Sequence, residues 1–173
     1  MTRNTCTRRL VAVDLENMAG TPWIPADWSA TACSYLVEAL ELKEHDLVYV
    51  AGAPHNATAV CAVAGALHGQ ARVKRGKNGA DLVLLNALET TPISALESPT
   101  APVAEVVIVS GDGIFTGVAD RFRRSGYRVT VVSRPGSLHR ALAAACNRVV
   151  YLSIPGQLSR SRSSQPGREA QSR

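Results

Sequence analysis

Short unbroken apolar runs alternate along the chain with segments whose apolar residues recur every three or four positions. Leu10-Val11-Ala12-Val13, Leu47-Val48-Tyr49-Val50-Ala51 and Val106-Val107-Ile108-Val109 carry little or no polar alternation. Strands buried on both faces of a parallel sheet read this way. Shorter runs at 71–75, 127–132 and 148–152 extend the series to six strands. Between them, Ala32, Leu36, Ala39 and Leu40 mark a helix over about 28–42, with Asp27 as its N-cap. Asn56 is the expected cap of a helix reaching Leu67, and a further helix runs over 80–88 with Asp81 in its first turn. Phe115, Val118 and Phe122 mark the next helix, and Ser137 is the expected cap of the last, over 138–146. Stretches 18–25 and 91–103, punctuated by proline, read as loops. Strands alternating with helices predict an α/β fold: a three-layer α/β/α sandwich around a mostly parallel, doubly wound sheet with right-handed crossovers.

Composition is that of one globular domain: 173 residues, 46% apolar and 19% charged. No apolar run approaches the roughly 20 residues of a membrane helix. The N-terminus also lacks the apolar core of a secretory signal, so a soluble, cytoplasmic protein is expected. The cysteines Cys6, Cys33, Cys61 and Cys146 lie too far apart for zinc spacing, and free buried thiols are expected for three of them. The net charge of +5 sits at the ends, in Arg3, Arg8 and Arg9 and in Arg160, Arg162, Arg168 and Arg173. The organisation expected is a basic extension over 1–8, a domain over 9–153 and a disordered basic Ser/Arg tail over 154–173. Such a tail either adds sequence-independent affinity for phosphate backbones or only solubilises.

The candidate chemistry lies where strands end. Ligands of open parallel sheets bind beyond the carboxyl ends of the strands, at the switch point in strand order. Asp14 ends the first strand, Asp112 follows the fourth, and Asp81 opens the helix after the third. In a doubly wound order Asp14 and Asp112 face each other across a few ångströms, with Asp81 approaching from the side. Carboxylates that close repel, and either one holds a proton or a cation sits between them. Mg²⁺ or Mn²⁺ suits an all-oxygen set, with Asn17 as a neutral ligand or as a donor orienting Asp14.

Each acid also has a plainer explanation. Asp112 serves as an N-cap, Asp81 complements a helix dipole, Glu16 is a solvated loop residue and Asp120 a surface charge. Recurrence at one sheet edge is what distinguishes the three. Gly111-Asp112-Gly113 is too short for a dinucleotide fingerprint, and no phosphate loop or nucleophile elbow occurs. His45, His55, His68 and His139 lack metal spacing and read as surface or helix-end residues. Aromatic residues are too few for a broad stacking platform, with Trp23, Trp28 and Tyr49 able to contribute only locally.

Three blocks carry a resemblance: Val13-Asp14-Leu15-Glu16-Asn17, Lys77-Asn78-Gly79-Ala80-Asp81 and Val109-Ser110-Gly111-Asp112-Gly113-Ile114-Phe115. In order and in strand context they resemble the signature blocks of NYN domains, within the PIN-like group of metal-dependent ribonucleases. The resemblance runs from about Arg9 to Leu152 and implies a PIN-like sandwich with a Mg²⁺ or Mn²⁺ site and RNA as partner. It implies Asp14, Asp81 and Asp112 as catalytic and metal-binding residues, Asn17 as a further pocket position, and Ser110 as the small hydroxyl supporting the third acid. The third block commonly reads Gly-Asp-x-Asp-Phe, and Ile114 replaces its second acid, which removes one potential ligand of a two-metal site.

The reading these residues favour is a metal-dependent endoribonuclease whose Lys74, Arg75, Lys77 and Arg134 guide the phosphate backbone, with a homo-oligomer possible. An RNA-binding or regulatory module that has lost hydrolysis is the alternative that Ile114 raises. A phosphohydrolase or receiver-like domain is a third, against which stands the missing Asp-x-Thr pattern after Asp14.

Overall fold

The computed structural model describes residues 7–91, 96–99 and 101–156. Most of the expected N-terminal extension, the serine/arginine tail from residue 157 and part of the 91–103 loop lie outside the described residues. One sheet contains β1 (Arg8–Asp14), β2 (Leu47–Gly52), β3 (Gln70–Val73), β4 (Val103–Val109), β5 (Arg128–Ser133) and β6 (Arg148–Tyr151). Its order is β3-β2-β1-β4-β5-β6, and every adjacent pair is parallel. The expected α/β architecture is therefore present, with β1 and β4 side by side at the switch point.

The unbroken apolar runs explain why these strands are central. Along β1, Leu10 and Ala12 turn to one face while Val11 and Val13 turn to the other, and all four are buried. Val106 and Ile108 of β4 join the first face, and Val107 and Val109 the second. Helices α1 (Leu15–Ala19), α2 (Ala26–Leu40) and α3 (Ala57–Ala66) cover the Val11 face through Leu15, Met18, Leu36, Val60 and Val63. Helices α4 (Gly79–Thr90), α5 (Thr116–Arg124) and α6 (Arg140–Ala145) cover the Leu10 face through Leu84, Leu88, Val118, Phe122 and Leu142, with Phe115 from the turn before α5. Fully burying each such side chain contributes on the order of 1.5–3 kcal/mol.

Several local expectations are corrected. Residues 15–19 are helical where a turn and loop were expected, because Asp14 itself accepts the N–H of Asn17 and starts a helix. Asn56 stands at the N-cap position of α3 without capping it. It is buried and spends its amide elsewhere, its Oδ1 accepting from Ile24 N and its Nδ2 donating to Glu16 and to Pro22 O. His139, not Ser137, caps α6, its Nδ1 accepting from Ala141 N at 3.2 Å. β3 ends at Val73, so Lys74 and Arg75 belong to a loop, while Arg72 lies over the Tyr49 ring at 5.4 Å. Cys61 is exposed and Cys33 and Cys146 are half-buried, so the thiols are free without being deep.

Candidate active site

Beyond the last β1–β4 pair, Val13↔Val109, the two strand ends are joined by side chains rather than by backbone. Asp14 Oδ1 accepts the N–H of Asn17 at 3.1 Å, and Oδ2 accepts the Ser110 hydroxyl at 3.1 Å. The same Ser110 oxygen accepts the N–H of Asp112 at 3.2 Å. Ser110, fully buried, thus ties the first acid to the backbone of the third. Asn17 Oδ1 accepts the N–H of Gly111 at 2.9 Å, and Arg134 Nε donates to Asn17 O at 2.6 Å. A side chain at position 111 would run into the carbonyl of Ser137, so only glycine permits this approach.

The second acid arrives on α4. The 74–78 loop folds so tightly that a Cβ at Gly79 would meet the Lys74 carbonyl, and Asn78 takes the left-handed conformation at φ 57°. Asparagine tolerates that region better than most residues. The turn delivers Asp81 within hydrogen-bonding reach of Asp14. Asp14, Glu16, Asn17, Asp81 and Asp112 line one cleft of about 220 Å³.

The three aspartates are not equivalent, and the arrangement differs from three acids around one point. Asp14 and Asp81 form the close pair, whereas Asp112 is exposed on the rim with its Oδ1 accepting the N–H of Ile114 at 2.9 Å. Asp112 is thus also the turn cap that its plainer reading expected. Among the described residues no group of three or more His, Cys, Asp or Glu side chains draws together closely enough to hold a metal ion. Burial is the main reason that Asp14 is pushed up to about 8, and the neighbouring Asp81 charge adds to it. The Asn17 N–H and the Ser110 hydroxyl pull in the opposite direction. Asp81 is raised by burial and by repulsion from Asp112 and Glu16, and lowered by its hydrogen bond with Asp14. Without a cation, burial and the neighbouring Asp81 carboxylate favour the protonated form of Asp14.

Two polar residues have roles that the sequence did not reveal. Glu16 is half-buried in the cleft wall, its Oε1 accepting from Ala53 N at 2.6 Å and from Asn56 Nδ2 at 2.7 Å. Its only signal was its place two residues after Asp14. Arg134 is 7% exposed and braces Asn17, so it is a buried residue rather than a surface cation. It lines a second cleft of about 340 Å³ that shares Asn17 and Asp112 with the first. Lys74, Arg75 and Lys77 are exposed on the loop whose Gly76 and Asn78 line the acid cleft. Asp120 is taken by ion pairs with Arg123 at 3.0 Å and Arg124 at 2.6 Å, away from the cleft. Ile114 packs partly buried against the Leu10 face. Among the described residues no helix is long and apolar enough to cross a membrane.

A wholly parallel α/β sandwich with carboxylates gathered at the switch point is a nuclease-like architecture. The chain belongs to the NYN domain family, whose model matches residues 66–153. That segment spans β3 to β6 and includes Asp81, Ser110 and Asp112, while Asp14 and Asn17 reach the same cleft through the pairing of β1 with β4. Among solved structures, a protein of unknown function from Vibrio parahaemolyticus RIMD 2210633 aligns with a TM-score of 0.59 and 18% identity. The alignment covers 88% of this chain and 97% of that one, a likeness of fold. No curated protein matches the chain.

Proposed function

We propose that the protein is a metal-dependent ribonuclease that hydrolyses RNA phosphodiester bonds in the cleft of Asp14, Asp81 and Asp112. The observation that carries this reading is the close approach of the half-buried Asp81 to the buried Asp14, for which the described residues supply no cationic partner. The donor set fits Mg²⁺ or Mn²⁺: it is all oxygen, it includes two close carboxylates, and the cleft has room for the several waters that Mg²⁺ keeps. Two carboxylates with waters suffice for such an ion, so a third ligand in direct contact is not required. When bound, the cation supplies charge stabilisation at the phosphate and acidifies a water.

The chain's own residues do the rest. The Asn17 N–H and the Ser110 hydroxyl hold the Asp14 carboxylate in one orientation. Asp112, exposed and tethered to its own turn, stands at the rim where a water can be oriented and a proton taken up. Lys74, Arg75 and Lys77 offer exposed positive charge on the Asp81 side, where a polyanion approaching an acidic cleft needs it.

The test uses the full chain, an end-labelled single-stranded RNA, and Mn²⁺ against chelator. Cutting that needs Mn²⁺ and falls at least about 100-fold in Asp14→Asn and Asp81→Asn is expected. Equal cutting by those variants would sink the mechanism. A second reading has its own support in Ile114, which packs against the core where the family pattern has an acid. On that reading the protein binds RNA with strong salt dependence and leaves it intact under every metal condition.

A further inference from the structure

We infer that Trp23 and His55 form a stacking ledge for an unpaired base of single-stranded RNA beside the acid cleft, an inference that rests on the proposed RNA reading. Trp23 is 67% exposed, while Trp28 is buried. Its ring lies 4.2 Å from the His55 ring, with 38° between their planes. The ledge is held rigidly. His55 Nε2 lies 2.6 Å from Pro22 O, and because a carbonyl only accepts, that nitrogen carries a proton. Asn56 Nδ2 donates to the same carbonyl at 2.8 Å and to Glu16 Oε1 at 2.7 Å, and Glu16 lines the cleft. One network therefore fixes both the ledge and the cleft wall. Ala53 also lines the cleft, and His55 follows it by two residues, so their Cα atoms are within about 7 Å of each other.

The chemistry selects the occupant. A protein partner needs a contiguous apolar patch of several hundred Å², whereas this is one ring with proline, histidine and asparagine around it. A flat indole face braced on its reverse side suits a planar base, and every base offers a π-face. The ledge lies at the β2 end of the sheet edge, between the acids at β1 and β4 and the basic loop after β3. A strand lying along that edge meets charge, ring and acids in turn.

The full chain in chelator is titrated with a single-stranded RNA oligomer and with the same sequence as a duplex; quenching is followed by the tryptophan fluorescence of the native protein, and the affinities of the native protein and its Trp23 variants by the anisotropy of the end-labelled RNA. Since Trp28 is buried, quenching reports Trp23. The expected results are quenching by the single strand, about ten- to a hundredfold weaker single-strand binding in Trp23→Ala, near-native binding in Trp23→Phe, and no effect of either change on duplex binding. Circular dichroism checks that both variants fold. RNA binding without quenching, or equal single-strand affinity in Trp23→Ala, overturns the ledge, as does binding of neither RNA form. The two readings fail separately. Quenching with no cleavage in Mn²⁺ leaves the ledge and removes the nuclease, whereas metal-dependent cleavage with an unchanged KM in Trp23→Ala does the reverse.

Discussion

Two aspartates are buried near the middle of the sheet, at opposite ends of it. Asp46 stands just before β2 and Asp14 just after β1, and both are nearly inaccessible, at 5% and 4% exposure. Asp46 is fully answered. Its Oδ2 accepts from Arg9 NH2 at 2.7 Å and from Lys43 N at 3.0 Å, and its Oδ1 accepts from Arg9 N at 2.8 Å. The same guanidinium donates to the carbonyls of Leu40 and Glu41, tying the end of α2 to β1. Asp14 receives two neutral donors, and its charged neighbour is another carboxylate. A buried charge costs several kcal/mol unless it is paired. At the Asp46 end the fold supplies the pair from its own arginine, which is the arrangement of a structural clasp. At the Asp14 end no cationic side chain among the described residues answers the carboxylate. The cavity of about 310 Å³ beside Asp46, lined by cations and carboxylates alike, is larger than the acid cleft, so size alone does not single out the candidate site.

This contrast can be broken most sharply by exchanging consequences. Asp14→Ala should lower metal-dependent RNA cutting at least about 100-fold, while Asp46→Ala, measured in the same assay at a temperature where it is folded, should cut at the native rate. Stability should respond the other way. Removing the Asp46 carboxylate strands Arg9 and costs about 3–5 kcal/mol in chemical denaturation, with Arg9→Ala similar. If Asp46→Ala unfolds at the native denaturant concentration, the clasp does not exist.

The pH dependence separates the two ends next. The folded Asp14 keeps its proton to about pH 8, whereas in the unfolded chain it loses the proton near 3.9. Between those values unfolding releases a proton, so this group's contribution to stability falls as pH rises from about 4 and is spent above about 8. In chelator the melting temperature should therefore fall across that window, and Asp81→Asn, which removes the repelling charge, should flatten the slope. Mn²⁺ at about a hundred times its dissociation constant should raise the melting temperature by about 5–10 °C at pH 8. Asp14→Asn should abolish that rise. The smallest effect belongs to Ser110→Ala, which leaves Asp14 one donor short and should cost about 1–3 kcal/mol together with a loss of cutting well below that of Asp14→Ala.

Much of this architecture was legible in the chain. The runs at Leu10–Val13 and Val106–Val109 are apolar at every position because both faces of β1 and β4 are covered, and that alone marked them as central parallel strands. Asp14 and Asp112 were legible because each stands at the end of such a strand, Asp81 because it opens the helix after β3, and Ser110 because it shares a block with Asp112. What could not be read was how the acids divide. Asp14 meets Asp81 rather than Asp112 because the turn at Gly79 swings α4 over the end of β1, while Asp112 folds back on Ile114. Asn56 and Ser137 were expected as caps and Glu16 as solvated. Each is a short-range preference overridden by a partner more than thirty residues away or by a competing cap.

By itself, then, the order of apolar and polar residues determined that this protein has a parallel sheet and that its acids collect at one edge, since burial of both strand faces and the carboxyl-end rule act through local sequence. Only the tertiary structure decided which carboxylate lacks a counter-charge. Neutralisation of a buried group depends on distances between segments far apart in the chain: Arg9 reaches Asp46 across 37 residues, whereas among the described residues Asp14 meets Asp81 and two neutral donors.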